Sequence, residues 1–332
     1  MTNGFERAPM VSIVLPAYKG EFFRAAVRGI LAQTYEDFEL IVVDDASPFD
    51  FPRVLKSFND KRIVYHRNET NIGRKDLAKA YNHACSFAKG RYLVLASDDD
   101  VYMPTYLERM VNIAESHPKT SLFSCMVGHI DECGKLKDPG VPVLPKETAL
   151  YFMFMHEARR RHLTLFEWFM RRSSLDAIGG IAHFPLGWFS DTKTMYMLAS
   201  HNTGGVRFVP EMLCMYRDSS IQLSNPSTGL FQKCEATLKF YEWFGQYIDA
   251  YGESLIASTV DSVVLCRLKE AYPLYAKALL LQLFGYADNL HNKLKIGRII
   301  CCSGYVKKKN VVFVFLCKII GQAVRFFTNH GK

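Results

Sequence analysis

Short apolar runs alternate with segments of helical periodicity over residues 11–127. The runs predict strands at Val11–Leu15, Phe38–Val43, Ile63–Tyr65, Tyr92–Ala96 and Leu122–Val127. Apolar residues spaced three or four positions apart predict helices at Phe22–Gln33, Lys75–Ala88 and Pro104–Ser116. Strands that lack polar alternation are buried on both faces. The pattern therefore predicts an α/β fold with a mostly parallel mixed sheet flanked by helices.

The pattern is less regular after the fifth strand. Residues 130–160 are expected to be largely irregular, and the segments that follow predict helices at Ser173–Ile178 and Asp191–Ser200 and a strand at Val206–Val209. From Leu230 to Leu290 the chain is helical in pattern and rich in aromatic residues. We predict one domain over residues 1–225, with halves at 1–115 and 116–225, and a helical C-terminal region over 226–332.

Positive charge is concentrated at the C-terminal end of the chain. The net charge is +8, and from Lys293 onward there are nine lysines or arginines and no acidic residue. A nucleic-acid-binding protein would carry such charge on its folded domain, so this class is disfavoured. Basic residues alternate with apolar ones between Lys307 and Phe327, which suits an amphipathic segment on an anionic membrane surface. A final helix packed on the domain would give the same pattern, and both interpretations stay open.

The cysteines and the N-terminus predict where the protein acts. Nine scattered cysteines without a CxxC pair favour free thiols in a reducing compartment. The first residues, MTNGFERAP, have no apolar run of the kind that a signal peptide requires. We therefore expect a cytoplasmic protein, and the basic C-terminal segment would allow a peripheral position on the inner face of the membrane.

Acidic residues follow two of the predicted strands directly. Asp44-Asp45 follow the second strand, and Asp98-Asp99-Asp100 follow the fourth. The carboxyl ends of parallel strands meet at one edge of a sheet, where ligands bind. Mg²⁺ and Mn²⁺ prefer carboxylate oxygens and need few protein ligands when substrate phosphates fill their coordination shell. Each acidic group could instead be local, as an Asx turn after the second strand and a cap of the helix at Pro104.

Four ordered segments resemble the family 2 glycosyltransferases of GT-A fold. These are VSIVLPAY at Val11–Tyr18, LAQTYEDFELIVVDDAS at Leu31–Ser47, Asn71-Ile72-Gly73, and AKGRYLVLASDDDVYMP at Ala88–Pro104. Several motifs in the same order are far more specific than any single one. The resemblance covers about residues 10–225, is strongest over the first 115, and is closest to bacterial surface-polysaccharide and spore-coat enzymes.

The resemblance implies a nucleotide-sugar donor site in the first half of the domain. Pro16, Ala17 and Tyr18 would line the nucleobase slot. Asp45 would contact uracil, and Arg74 would lie near the base or the diphosphate. Asp98 would bind ribose, and Asp99 would hold Mn²⁺ or Mg²⁺. Ser97 stands where the commonest form of the motif has its first aspartate.

The resemblance also implies acceptor residues in the second half. Asp191 matches an acidic residue that heads a helix and acts as the catalytic base, with Ser190 in place of the glutamate that often precedes it. Without the resemblance, Asp191 would be interpreted as a helix cap. Trp188 is the candidate for contact with an acceptor ring. Arg217, in the pair Tyr216-Arg217, resembles a family pair near the end of the domain and is a second acceptor candidate.

Two other groups of residues are expected to be structural. The basic run Arg159–Arg161 predicts a solvated turn. Phe166, Trp168 and Phe169 stand in an apolar segment and predict core positions rather than a sugar-stacking platform.

The resemblance therefore implies an inverting, metal-dependent glycosyltransferase. The donor would be a nucleoside-diphosphate sugar, with UDP favoured, and the acceptor a glycan or lipid-linked glycan used in surface polysaccharide synthesis. Oligomers are compatible with the aromatic helices. A dinucleotide oxidoreductase is disfavoured, because the first strand ends in Pro-Ala-Tyr-Lys-Gly instead of a glycine-rich turn. A non-catalytic nucleotide-sugar-binding protein would share every donor motif and remains the alternative.

Overall fold

The computed structural model describes residues 8–74, 76–161, 163–219, 229–287 and 289–305. The predicted basic amphipathic segment between Lys307 and Phe327 lies outside these residues. The described residues of Met1–His183 and Ser190–Gln222 form one compact unit, and those of Phe184–Phe189 and Leu223–Lys332 form a second. The division at residue 222 lies close to the predicted domain limit at 225, but the sequence did not indicate that Phe184–Phe189 belongs with the C-terminal unit.

The first unit contains one mixed β-sheet. Its strands are β1 Val11–Ala17, β2 Phe38–Asp44, β3 Ile63–Arg67, β4 Tyr92–Leu95, β5 Val101–Tyr102, β6 Leu122–Ile130, β7 Leu136–Asp138, β8 Lys146–Glu147, β9 Phe169–Arg171 and β10 Val206–Arg217. The strand order is β3-β2-β1-β4-β9-β6-β10-β5, with β7 beside β6 and β8 beside β10. The β1–β2, β2–β3, β1–β4 and β6–β10 pairings are parallel, whereas the short strands pair antiparallel.

Helices cover both faces of this sheet. The helices of the first unit are α1 Phe23–Leu31, α2 Phe51–Lys56, α3 Leu77–Cys85, α4 Tyr106–Ser116, α5 Ala149–Glu157, α6 Arg172–Ala177 and α7 Ser190–Ser200, with a 3-10 turn at His201–Thr203. Alternate residues of β1, from Val11 to Ala17, join α1, α2 and α4 in one apolar cluster. Val14 is also fully buried but belongs to the opposite face, because side chains alternate along a strand. The predicted α/β fold with a sheet between helices is confirmed.

The second unit is helical. It contains a 3-10 turn at Pro185–Gly187, α8 Leu230–Tyr251, a 3-10 turn at Gly252–Leu255, α9 Thr259–Tyr286 and α10 Leu290–Cys302. Ile296 and Ile300 of α10 are fully buried in an apolar cluster with Cys234 of α8 and Leu280 of α9. The predicted helical C-terminal region is confirmed over its described residues. Among the described residues of both units, no helix is both long enough and apolar enough to cross a membrane.

The structure corrects several predicted elements. Residues 130–160, expected to be irregular, contain β7, β8 and α5. Helix α5 has the sequence ALYFMFMHE, which is apolar on nearly every side, so it shows no amphipathic period. The predicted strand at Val206–Val209 extends to Arg217, because residues between Met212 and Arg217 continue the pairing with β6 after two register shifts. Helix α2 was not predicted; Pro52 in its first turn and the N-cap Asp50 start it.

The expected basic turn is only partly solvated. Arg159 and Arg160 are exposed, as predicted. The prediction is wrong for Arg161, whose guanidinium makes two hydrogen bonds of 2.6 Å to the buried Glu147 carboxylate. Pairing with a buried charge is what allows a guanidinium to leave water.

The expected core role of the neighbouring aromatic residues is confirmed. Phe166, Trp168 and Phe169 are at most 1% exposed. They belong to the interior of the first unit and offer no platform for a sugar.

Candidate active site

The turn that follows β1 is the centre of the site. Ala17 O accepts a hydrogen bond of 2.9 Å from Asp45 N, and Tyr18 O accepts one of 2.6 Å from Ser47 Oγ, so the turn is joined to the end of β2. On its other side, Tyr18 N and Lys19 N donate to Asp98 Oδ2 at 3.2 and 2.9 Å, which joins the turn to the end of β4. The order β2-β1-β4 explains this convergence, because three parallel strands end side by side.

The exposed ring of Tyr18 stands at this turn. Pro16 is half-buried, Ala17 is fully buried, and Tyr18 is 44% exposed. A large aromatic ring that remains exposed beside buried strand ends can stack on a flat ligand. Of the three residues predicted to line the nucleobase slot, Tyr18 therefore has the most exposed side chain, and its ring could stack on a nucleobase.

Asp45 contacts the end of β1 through its backbone N–H and holds a neighbouring loop through its carboxylate. Its carboxylate accepts hydrogen bonds from Asn68 Nδ2 at 2.8 Å, Ile72 N at 2.8 Å and Gly73 N at 2.7 Å. A Cβ at Gly73 would lie 3.0 Å from Asp45 Oδ2, so glycine permits this close approach. Asp45 thus positions the Asn71–Gly73 turn and, directly after it, the exposed Arg74.

The preceding carboxylate is structural. Asp44 is fully buried and accepts hydrogen bonds from Tyr65 Oη at 2.7 Å and Ser47 N at 2.8 Å. It also forms an ion pair with Arg67 of β3. These partners account for the buried charge of Asp44, whereas the carboxylate of Asp45 is used to hold the loop at Asn71–Gly73.

The three aspartates after β4 differ in their partners. Asp98 uses Oδ2 for the backbone of the β1 turn, and among the described residues no hydrogen bond reaches its Oδ1. Burial raises the pKa of Asp98, and the nearby charge of Lys19 opposes that increase. The side chain of Asp99 is 14% exposed and pairs with Lys19 Nζ at 3.3 Å.

Asp100 points into the protein. Its carboxylate accepts hydrogen bonds from Ser97 Oγ and, at 2.9 Å, from Arg217 N. Burial raises the pKa of Asp100 to about 7, and the negative charge of Asp99 adds to the increase. We conclude that Asp100 anchors the acidic loop, that Asp98 is buried against the β1 turn, and that Asp99 is the least buried of the three.

Arg217 is buried under the same loop. Its Nε donates to Asp99 O at 2.8 Å, and its Nη1 donates to Asp131 O and Glu132 O at 3.1 and 3.0 Å. The guanidinium also lies 4.6 Å from the centre of the Phe22 ring. The structure therefore places this predicted acceptor residue against the acidic loop, where it supports Asp99.

Asp191 heads helix α7. Thr192 N and Thr192 Oγ1 donate to its Oδ1 at 2.7 and 3.3 Å, and within the described chain Oδ2 accepts no hydrogen bond. Desolvation raises the pKa of the Asp191 carboxyl, whereas the Thr192 hydrogen bonds and the positive charge of His156 lower it. A carboxylate with one oxygen held and one available has the geometry of a general base.

Glu167 is a buried carboxylate that the sequence analysis missed. Its Oε2 accepts a hydrogen bond of 2.9 Å from Thr164 Oγ1, and its main-chain oxygen accepts one of 3.2 Å from Tyr106 Oη. Burial raises the pKa of Glu167 to about 8, and the negative charge of Asp191 contributes to the increase. Glu167 thus lies within range of an electrostatic interaction with Asp191. A glutamate between two aromatic residues, FEWF, was the available sequence signal for a buried carboxylate.

Trp188 belongs to the other unit. Its ring lies 4.6 Å from Nζ of Lys233 on α8, and its Nε1 is buried without a hydrogen-bond partner among the described residues. Its predicted contact with an acceptor stays a prediction.

Lys19 is the second residue that the sequence analysis missed. Its position directly after Pro-Ala-Tyr, at the end of a strand beside two acidic strand ends, was the available signal. In the structure it supplies the cation nearest to the predicted metal ligand.

The carboxylates fit a divalent cation that is shared with a substrate. The described residues contain no cluster of three or more histidine, cysteine or acidic side chains placed to hold a metal. Asp99, however, is held against an ammonium group, which shows that this position accommodates positive charge. A cation with one carboxylate ligand requires further oxygen ligands, and a diphosphate supplies them.

Comparison with known sequences is consistent with the predicted family. The sequence model of the family described as Glycosyl transferase family 2 matches residues 12–179, which is half of the chain. A glycosyltransferase of Methanocaldococcus jannaschii is 28% identical over 172 residues, covering 50% of this chain and 57% of that protein. The putative glycosyltransferase EpsE of Bacillus subtilis is 32% identical over 142 residues, covering 42% and 50%. A glycosyltransferase of Rickettsia felis is 37% identical over 108 residues, covering 32% and 17%, so the chain matches well under two thirds of each relative.

Solved structures share the fold. S. aureus TarS, residues 1–349, in complex with UDP-GlcNAc aligns with a TM-score of 0.54 at 14% identity, covering 87% of this chain and 90% of that one. The mannosyltransferase PcManGT from Pyrobaculum calidifontis, in complex with GDP-Man and Mn²⁺, aligns with a TM-score of 0.53 at 16% identity, covering 95% and 87%. The predicted GT-A fold is confirmed by this likeness. The family match covers half of the chain and includes β1, β2, β4 and the acidic loop Asp98–Asp100. The chain therefore belongs to glycosyl transferase family 2.

Proposed function

We propose that the protein transfers a sugar from a nucleoside-diphosphate sugar to an acceptor hydroxyl with inversion at the anomeric carbon. The observation that carries the proposal is the meeting of three strand ends at one turn. Asp45 and Asp98 are both hydrogen-bonded to the β1 turn, and Asp99 is paired with Lys19 of the same turn. A donor placed there would meet the Tyr18 ring, the Asp99 carboxylate and the Lys19 ammonium at one end of the sheet.

The donor would lie across the turn with its base beside Tyr18. The free Oδ1 of Asp98 is available to a ribose hydroxyl, and Asp45 keeps capacity for one more donor such as the N3–H of uracil. Arg74 follows the turn that Asp45 holds, which supports a contact with the base or the diphosphate. Uridine is favoured by the resemblance of these residues to the family.

A divalent cation, Mn²⁺ or Mg²⁺, would be held by Asp99. When bound, such an ion neutralises the negative charge that develops on the departing diphosphate. Asp100 and Arg217 would keep the Asp99 main chain in place, since they hold the loop from below.

Asp191 is the proposed catalytic base. Its Oδ2 would accept the proton of the acceptor hydroxyl as the acceptor oxygen forms a bond to the anomeric carbon. The bond from that carbon to the diphosphate oxygen breaks on the opposite side, and the electron pair leaves with the diphosphate. The raised pKa of Asp191 supports this role, because it increases the affinity of the carboxylate for a proton.

The acceptor is proposed to be a glycan or a lipid-linked glycan in surface polysaccharide synthesis. Trp188 remains the proposed ring contact, and action at the cytoplasmic face of the membrane would bring the protein to a lipid-linked acceptor. These proposals depend on the family resemblance and on the aromatic and basic residues of the C-terminal half.

The experiment is a nucleotide-release assay with Mn²⁺, a panel of nucleotide sugars, and acceptors present or absent. We expect Asp99→Ala to abolish transfer and weaken donor binding, because the diphosphate loses its cation. We expect Asp191→Ala to lower turnover by about 10²- to 10⁴-fold while donor binding is kept, because only the proton acceptor is lost. Asp249→Ala, at an exposed position of α8, is the matched control and should behave as wild type.

Two results would contradict the proposal. Donor binding without turnover under every condition would instead support a non-catalytic nucleotide-sugar-binding protein. Full activity of the Asp191→Ala variant would remove that residue from the mechanism.

A further inference from the structure

We propose that the Lys19 ammonium is a built-in counterion that occupies the cation position at Asp99 while the donor is absent. The divalent ion would then bind together with the diphosphate, and the displaced Lys19 ammonium would form an ion pair with the diphosphate. The inference rests on the proposed function, since it concerns how the donor and the metal share one site.

The geometry places the ammonium on the predicted metal ligand itself. Lys19 Nζ lies 3.3 Å from Asp99 Oδ2, and the two side chains are only 22% and 14% exposed. The backbone of Lys19 is held by its own hydrogen bond of 2.9 Å to Asp98 Oδ2. The side chain therefore starts from a fixed point, and its ammonium can move only within the reach of its stem.

Asp99 depends on this partner more than its neighbours do. Asp98 accepts two backbone N–H groups, and Asp100 accepts Ser97 Oγ and Arg217 N. Among the described residues, Lys19 is the single donor to the Asp99 side chain. Without it, the most outward carboxylate of a triple-aspartate loop would carry uncompensated charge.

A divalent ion bound at Asp99 would lie close to the Lys19 ammonium on Oδ2. Two positive groups at such a distance repel each other, so metal binding favours movement of the ammonium away from Asp99. In the donor-free protein the displaced ammonium gains no new partner, which weakens metal binding. A bound diphosphate supplies that partner, so donor and metal should strengthen each other's binding by the same factor.

The test is a titration of Mn²⁺ into the purified full chain, with free Mn²⁺ followed by its electron paramagnetic resonance signal, with and without UDP. The Lys19→Met variant keeps most of the side-chain stem and removes the charge. Without UDP we expect it to bind Mn²⁺ about tenfold more tightly than wild type, because no ammonium has to leave. Addition of UDP should tighten Mn²⁺ binding strongly in wild type and much less in the variant.

Matched variants make the result specific. Lys56→Met changes an exposed lysine at the end of α2 and should titrate as wild type. Lys19→Gln provides a second neutral side chain with the same expected result should the methionine variant fold poorly. Asp99→Asn should abolish Mn²⁺ binding in both conditions.

The contradicting outcomes separate the two proposals. Equal Mn²⁺ affinity of wild type and both Lys19 variants without UDP would overturn the counterion role and leave the proposed function intact. Failure of wild type to bind Mn²⁺ together with UDP, GDP or dTDP would overturn the proposed function and this inference with it.

Discussion

Each carboxylate of the site is distinguished by the donors around it. Asp44 and Asp100 are buried and fully engaged, whereas Asp98 and Asp191 each keep one oxygen without a hydrogen bond among the described residues. A residue whose oxygens are all engaged within the protein stabilises the fold, and one with an available oxygen can serve a ligand. This difference separates residues that look alike in the sequence by the oxygens that the protein itself uses.

The buried Glu167 predicts a pH-dependent stability. Its pKa is raised from 4.5 to about 8, so the folded protein keeps a proton that the unfolded chain releases. Stability should therefore fall as pH rises from about 4.5 to about 8 and level off above that range. The isosteric Glu167→Gln variant removes this dependence. It should be more stable than wild type by about 2–4 kcal/mol at pH 8.5, with the difference disappearing at pH 4.5.

Urea denaturation of both proteins across this pH range measures the effect. Glu115→Gln is a control, because that carboxylate is 42% exposed and pairs with Arg91 at the surface. A stability difference between wild type and Glu167→Gln that is the same at every pH would contradict the raised pKa.

At the scale of elements, strand ends are tied together by residues that come from distant parts of the chain. Strand β10 pairs with β6 along its length and ends at Arg217, whose donors reach the acidic loop and the turn between β6 and β7. Strand β10 thus brings the Arg217 side chain, from the second half of the domain, into contact with the acidic loop of the first half. We infer that the acceptor half contributes to the shape of the donor site.

Arg217→Met should lower stability and donor binding together. The change leaves three main-chain carbonyls without this donor, so we expect the free energy of unfolding to fall by about 2–4 kcal/mol. Release of the Asp99 main chain should also weaken Mn²⁺–UDP binding. Chemical denaturation and a nucleotide titration on the same sample measure both effects.

The matched variant is Arg109→Met. Arg109 of α4 forms an exposed ion pair with Glu211, which lies on β10 like Arg217. This pair should contribute at most about 1 kcal/mol to the free energy of unfolding. Loss of stability without loss of donor affinity in Arg217→Met would show that the loop keeps its shape by other means.

At the scale of the whole molecule, the family match and the candidate site occupy the first unit. The family match ends at residue 179. Trp188 belongs to the second, helical unit, in which its ring contacts Lys233 of α8. The basic segment that follows α10 lies outside the described residues, so its interpretation as a membrane contact depends on its sequence alone.

Removal of the chain after Tyr305 tests that interpretation. Residues 306–332 carry six lysines or arginines and no acidic residue. We expect the full chain to sediment with anionic vesicles at low salt and the shortened chain to stay in solution, because each basic residue near the surface contributes about 1 kcal/mol. The cut must follow Tyr305, since Ile296 and Ile300 of α10 are buried.

Vesicles of neutral lipid and a titration with salt are the controls. Binding that persists in high salt or on neutral lipid would indicate insertion of the apolar residues rather than charge attraction. Negligible sedimentation of both chains with anionic vesicles would contradict the membrane contact.

The pattern of apolar residues located β1, β2 and β4 well, because long buried strands need long apolar runs. It missed β5, β7, β8 and β9, which are two or three residues long and owe their pairing to neighbours in the sheet. It also missed α5, whose apolar residues surround the helix and show no period.

The sequence alone determined the parallel strands, the acidic residues at their ends and the family, because these depend on local spacing and on motifs that are continuous in the chain. Only the tertiary structure decided which acidic oxygens are engaged and which are available. The partners that decide it come from far away in the sequence: Lys19 contacts Asp99, and Arg217 holds the same loop from beneath. Hydrogen bonds and ion pairs form between groups that folding brings together, and no local pattern records them.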